Sequence, residues 1–214
     1  MTNIELKSEE PQIDPLFATP CFSFEIDNKY YLEDIKNKIL DLKKDGKGEQ
    51  VTPFDWVSDD NLHELEEFKP LTNFIYKEME NLFQYIGVDK KDHYILCMWA
   101  NVAKKGHEQQ VHPHPNSFYS GVIYLQSPEG SPRLTFVDPR PAAKVIRPDY
   151  THDMSFNAAE YKMATDVGLC YFFPSFLEHY VSGAYEFEGE RISLSFNIMI
   201  DAEIKNRTMR WNIR

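Results

Sequence analysis

The sequence predicts a mainly β fold, a jelly roll or related double-sheet barrel, standing behind a helical buttress. Three observations predict it. Two segments with apolar residues spaced three and four apart fall within the first ninety positions of a 214-residue chain. From Tyr94 onward the pattern changes to short apolar runs and period-two alternation, giving about eight strand candidates. Turn signals such as Pro128-Glu129-Gly130 and Glu188-Gly189-Glu190 separate several of them. An apolar fraction of 42% with 14% aromatics places the chain among folded proteins, and its length allows one domain with a sizeable core.

Residues 1–15 are polar with early prolines and read as a flexible arm. Residues 16–90 form the buttress, opening on a short strand that contains Phe22, Phe24 and Ile26. Leu32, Ile35, Ile39 and Leu42 predict a first helix that stops near Gly46. From Gly46 to Pro70 the expectation is loop with a short helix around Asn61 to Phe68; Phe54 and Trp56 make it a candidate lid. Leu71, Phe74, Ile75, Met79, Leu82, Phe83 and Ile86 predict a second helix, with Pro70 in its first turn and Gly87 at its end. The barrel core spans 94–200, with strands from Tyr94 to Val102 and at 107–112, 120–125, 133–137, 144–147, 169–173, 179–182 and 191–200. Aromatic residues in 142–164 suggest a further wall, and 201–214 is a C-terminal extension.

The net charge of −11 argues against nucleic acid or an anionic membrane as the main partner. Cys21, Cys97 and Cys170 stand far apart, which fits reduced thiols and a cytoplasmic setting. The first residues lack a signal-peptide pattern, and no apolar run is long enough to span a membrane. Oligomeric state stays open.

Candidate chemistry centres on Val111-His112-Pro113-His114-Pro115. In an extended chain His112 and His114 project from one face, which suits two nitrogens on one metal. Phe173-Pro174-Ser175-Phe176-Leu177-Glu178-His179 supplies a third histidine. Three imidazoles with open positions would suit a catalytic site; the alternative is a pair of loop histidines and a core histidine. His107 is close enough in sequence to support such a site. Arg191, Ser193, Ser195 and Asn197 share one strand face, which meets either solvent or the barrel mouth. In the mouth, Arg191 could grip a carboxylate with both arms of its fork.

The ordered segments HPH, SGVIYL, RLTFVDPR, GLCYFFPSFLEH and RISLSFN, over about residues 94 to 200, resemble the 2-oxoglutarate and Fe(II)-dependent oxygenase superfamily. More narrowly, they are similar to a family of bacterial and phage oxygenases. The resemblance implies a cupin-like double-stranded β-helix that uses Fe(II), 2-oxoglutarate and O2. His112 and His179 fall at its catalytic first and distal histidine positions. Arg191, with Ser193 beside it, matches the arginine that pairs with the far carboxylate of 2-oxoglutarate, and Tyr124 matches a tyrosine that reaches the same group. Gly168 resembles a glycine before the sixth barrel strand. The usual carboxylate of the first motif is replaced by His114, so the third metal ligand is either His114 or Asp138.

The implied activity is oxidative decarboxylation of 2-oxoglutarate to succinate coupled to oxidation, by default hydroxylation, of a small molecule or protein side chain. Two alternatives stay open: a cupin-like metalloenzyme with three histidines and no 2-oxoglutarate, and a non-catalytic β-barrel binding module.

Overall fold

Period-two alternation in the second half of the chain builds two antiparallel sheets that face each other. The structure, a computed structural model, describes residues 12–213 except 15, 90–91, 146–147, 155, 184 and 206–209. Strand β1 (Phe22–Glu25) leads into helix α1 (Lys29–Lys44). The side chain of Asn28 caps α1 by accepting from the Tyr31 amide at 3.1 Å, and two lysines close its last turn, complementing the helix dipole. Strands β2 (Glu49–Thr52) and β3 (Asp55–Val57) form a hairpin, and two short 3-10 turns precede α2 (Lys69–Tyr85). Then follow β4 (His93–Lys104), β5 (Gln109–His112), β6 (Tyr119–Gln126), β7 (Leu134–Val137), β8 (Glu160–Met163), β9 (Leu169–Pro174), β10 (His179–Val181) and β11 (Glu190–Ile200). A separate hairpin of β12 (Ala202–Lys205) and β13 (Arg210–Ile213) ends the described chain.

The larger sheet has the order β1-β9-β6-β11-β4-β3-β2 and the smaller β5-β10-β7-β8. Consecutive strands from β4 to β7 alternate between the sheets, and the chain returns through β9, β10 and β11 to close each sheet on its earlier strands. This is the double-stranded β-helix that the strand pattern and the resemblance predict.

The central strands of the large sheet turn one face to the helices and the other to the small sheet. Ile192, Leu194, Phe196 and Ile198 of β11 join Leu32, Ile35 and Ile39 of α1 and Ile75, Met79 and Phe83 of α2 in one buried cluster. A smaller cluster between the sheets contains Val122, Tyr124, Phe136, Tyr171, Phe173 and Leu177. Gly121 is required where β6 crosses Phe196: a Cβ there would lie 2.2 Å from the phenyl ring and 2.5 Å from the Tyr171 carbonyl oxygen.

The structure departs from the sequence reading in three places. The segment after Gly46 is not a free lid, because β3 pairs with β4 and makes the hairpin part of the large sheet, with Asp55 and Trp56 buried. Strand β8 replaces part of the expected aromatic wall, pairing with β7 at the edge of the small sheet. The strand expected at 144–147 is absent from its described part: Pro141–Lys144 is a 3-10 turn opened by a proline, and 146–147 lie outside the described residues.

Candidate metal centre and anion cleft

Strand pairing explains why residues far apart in sequence meet. His179 on β10 is the direct partner of His112 on β5. The chain stays pinned beyond β5, because the His114 amide donates to the Ser175 carbonyl at 2.8 Å. Asn116 then turns the backbone at φ 61°, a conformation that asparagine tolerates better than most residues. Consequently one nitrogen from each of His112, His114 and His179 falls within 4.8 Å of the others. The rings of His114 and His179 stack, with centroids 5.0 Å apart and planes 7° from parallel.

Hydrogen bonds orient two of the rings. His179 Nδ1 lies 3.0 Å from the Leu177 carbonyl and His112 Nδ1 lies 2.8 Å from that of Gln110. A carbonyl only accepts, so both Nδ1 atoms carry hydrogen and both Nε2 atoms keep a lone pair. His114 Nε2 is 3.2 Å from the lone pair of His179 Nε2, so a shared proton or a cation must separate them. Burial, reinforced by His179 and His112, pushes the His114 imidazole down to about 3. Burial also lowers His179 to about 4, against the opposing bond to Leu177 and with help from His112. Neutral imidazoles with convergent lone pairs are the form that binds a transition metal. The donor set fits such an ion.

Asp138 lies elsewhere. Its Oδ1 accepts from the Arg140 backbone and Nε, and its Oδ2 accepts from Arg140 Nη2, each at 3.0 Å. It lines a different cavity of about 700 Å3, and the convergent histidine group contains no carboxylate.

The histidines line a narrow cleft, about 30 Å3 where the other cavity is about 700 Å3, that runs across the inner face of the large sheet to Arg191 and Ser193. Arg191, Ser193, Ser195 and Asn197 therefore face the barrel interior. Polar groups in the middle of this face satisfy one another. Ser120 donates to Asn197 at 2.7 Å, Asn197 donates to Cys97 Sγ at 3.3 Å, and Asn101 donates to Ser195 at 3.4 Å. The far end differs. Arg191 is 4% exposed with its Cζ 5.2 Å from the Tyr124 ring centroid, yet Arg191 Nε and the Tyr124 hydroxyl are buried without a hydrogen-bond partner. Burial raises the phenol of Tyr124, opposed by the charge of Arg191 and by the approach of that guanidinium to the hydroxyl, which falls short of a well-formed hydrogen bond, so the phenol stands neutral. Unsatisfied donors beside a buried cation are costly unless an anion completes them. A carboxylate fits that end.

Two further residues complete this region. His107, placed by sequence as a supporting residue, lines the cleft with its Nδ1 3.6 Å from Asp55 Oδ2. Asp55 has no counterpart in the sequence reading, because the strand that buries it is three residues long and follows an exposed one.

Residues 97–197 match the model of a family described as "Putative 2OG-Fe(II) oxygenase". Comparison with curated protein sequences finds no match. Among solved structures, a prolyl-4-hydroxylase from Pseudomonas putida superposes with a TM-score of 0.62 at 12% identity, over 86% of this chain and 95% of that one. The non-haem α-ketoglutarate-dependent epimerase SnoN of nogalamycin biosynthesis gives 0.64 at 11% identity, over 86% and 78%. HygX from Streptomyces hygroscopicus, solved with nickel and 2-oxoglutarate, gives 0.58 at 12% identity, over 85% and 83%. At such identities the likeness is one of fold. No described helix is long and apolar enough to cross a membrane.

Proposed function

We propose that this protein is a 2-oxoglutarate-dependent Fe(II) oxygenase in which His112, His114 and His179 hold the metal and Arg191, Tyr124 and Ser193 hold the far carboxylate of 2-oxoglutarate. One observation carries the reading: a single cleft has three convergent imidazole nitrogens at one end and, at the other, a buried arginine and tyrosine with one unsatisfied polar atom each. A molecule with a metal-chelating keto acid and a second carboxylate answers both ends. The family match of 97–197 and the nickel and 2-oxoglutarate found in HygX agree with it.

When bound, Fe(II) with 2-oxoglutarate and O2 supplies the oxidising power, with succinate and carbon dioxide as by-products. The chain contributes position and environment. Leu177 and Gln110 fix two imidazoles in the tautomer whose Nε2 faces inward. The fork of Arg191 pairs with the carboxylate, and Tyr124 donates a third hydrogen bond from the sheet beneath it. Trp99 and Phe173 stand against His114, with ring centroids 5.9 and 6.2 Å away, and exclude water from that side of the centre. Hydroxylation of a small molecule or a protein side chain is the reaction we assign.

The test is succinate formation from 2-oxoglutarate with Fe(II) and a panel of candidate substrates. Succinate above the metal-free control is expected. No turnover together with undetectable 2-oxoglutarate binding would remove the reading. The histidine-only metal group favours one second reading, a metalloenzyme that needs no cosubstrate. Arg191→Ala separates the two, abolishing 2-oxoglutarate binding in the first and leaving metal chemistry intact in the second.

A further inference from the structure

Next to the cleft, in contact with its lining residue His107, lies a buried carboxylate that the proposed function does not use. Asp55 on β3 is 7% exposed, and its Oδ1 is buried without a hydrogen-bond partner. It pairs with Ala103 on β4, and Ala103 pairs with Arg191 on β11. Cross-strand partners share a sheet face, so Asp55 and Arg191 stand on the inner face about 10 Å apart at their backbones, on either side of Ala103.

Among the described residues, the charged groups around Asp55 are few. Arg191 faces it from β11, Lys43 acts on it from α1, and His107 approaches from the turn after β4. Lys43 is itself bound by Glu190 at 2.9 Å, and Lys104 lies 3.7 Å from the same carboxylate. Arg191 is thus the main unclaimed positive charge that favours ionised Asp55. An incoming carboxylate claims that charge and adds a negative charge nearby.

We propose that Asp55 takes up a proton from solvent when a dicarboxylate docks on Arg191, so that cosubstrate binding is linked to pH through this residue. The inference rests on the cosubstrate reading above. Burial already pushes the Asp55 carboxyl up to about 6, with Arg191 and then Lys43 opposing the rise. A further rise of about one unit on docking would take its protonated fraction at pH 7 from about a tenth to about a half. The carboxylate then becomes a neutral acid that can donate a hydrogen bond, and the cleft no longer sets two anions against one guanidinium. His107 stays neutral in this scheme, since burial first and Arg191 second lower it.

Titration calorimetry of the manganese-loaded protein with 2-oxoglutarate, in two buffers of different ionisation heat, counts the protons. About 0.4 proton taken up per ligand is expected at pH 7, with affinity falling about fivefold between pH 6 and pH 8. Asp55→Asn should bind without uptake and flatten the pH dependence, whereas His107→Gln should keep the uptake. An infrared difference spectrum of the unmutated protein supplies a reading that does not depend on a variant folding: a protonated carboxyl band should appear when ligand is added. Binding with no proton uptake, or uptake retained in Asp55→Asn, overturns the inference and leaves the cosubstrate reading intact. Absence of any 2-oxoglutarate binding overturns both.

Discussion

The two faces of strand β11 are made by one run of eleven residues, yet they serve opposite ends. Ile192, Leu194, Phe196 and Ile198 face the helices in a dry, close-packed cluster, while Arg191, Ser193 and Ser195 line the cleft and Asn197 continues the same face. Both faces are buried, and the difference lies in what satisfies them. The outer face is complete within the protein. The inner face is complete through its middle and incomplete at Arg191 and Tyr124, where the donors have no partner. Stability therefore resides on one side of the strand and ligand demand on the other, separated by a single residue step.

Substitutions on the two sides should fail differently. Phe196→Ala should have the largest effect: it empties a site between Phe172 and Gly121 and should cost about 3–5 kcal/mol, lowering Tm by about 10 °C in a thermal melt. Its metal content, measured on the folded fraction, should match the unmutated protein. His179→Ala should do the reverse. Metal affinity by competition with a chelator should fall more than about 100-fold, beyond the loss typical of a residue that only orients a ligand. The metal-free variant should lose only about 1–2 kcal/mol of stability, the scale of the lost bond to Leu177. A His179→Ala protein that keeps its metal would break the assignment of the inner face.

Much of this division is legible in the sequence, because it rests on alternation. Apolar residues three and four apart mark both helices, and the alternating Arg191 to Asn197 run marks a strand with unlike faces. The meeting of His112 with His179 follows from β5 pairing with β10, a long-range fact that no local pattern encodes; the ordered motifs of the resemblance point to it instead. The hairpin of β2 and β3 is not legible. All four residues of β2 are exposed, its one apolar side chain, Val51, included, so it lacks a buried face to read, and its pairing with β3 is set by a turn with neither of the usual glycine dipeptides. Asp55 was hidden with it, since a carboxylate in an acidic, proline-containing stretch reads as surface until a neighbouring strand buries it.

Asp55 also gives the inner face a pH signature that the outer face lacks. Its folded value of about 6 lies above the ordinary 3.8, so the folded protein holds this proton more tightly than the unfolded chain. The corresponding stability is fully present below about pH 4 and is lost as pH rises through about 6. Asp55→Asn, which cannot ionise, should be more stable than the unmutated protein by up to about 3 kcal/mol at pH 7, with the difference shrinking towards zero near pH 4. Denaturant melts of the ligand-free proteins at several pH values measure it. An advantage that persists unchanged to pH 4 would mean that Asp55 is not the titrating group.

The smallest effect sharpens the comparison most, because it separates two neighbours on the same face. Ser193 lies beside Tyr124 across the β11–β6 pairing and two residues from Arg191, so its hydroxyl is placed to add one neutral hydrogen bond to whatever anion the arginine holds. A neutral bond is worth about 0.5–1.5 kcal/mol net, against roughly twice that for a charge-assisted one. Ser193→Ala should therefore raise the KM for 2-oxoglutarate about two- to tenfold while leaving kcat nearly unchanged, because the far carboxylate is held equally before and during the chemical step. Arg191→Gln should raise it much further. If Ser193→Ala instead lowered kcat with KM unchanged, the hydroxyl would be acting on the reacting end of the cleft, and the anion pocket would have to be redrawn around Arg191 and Tyr124 alone.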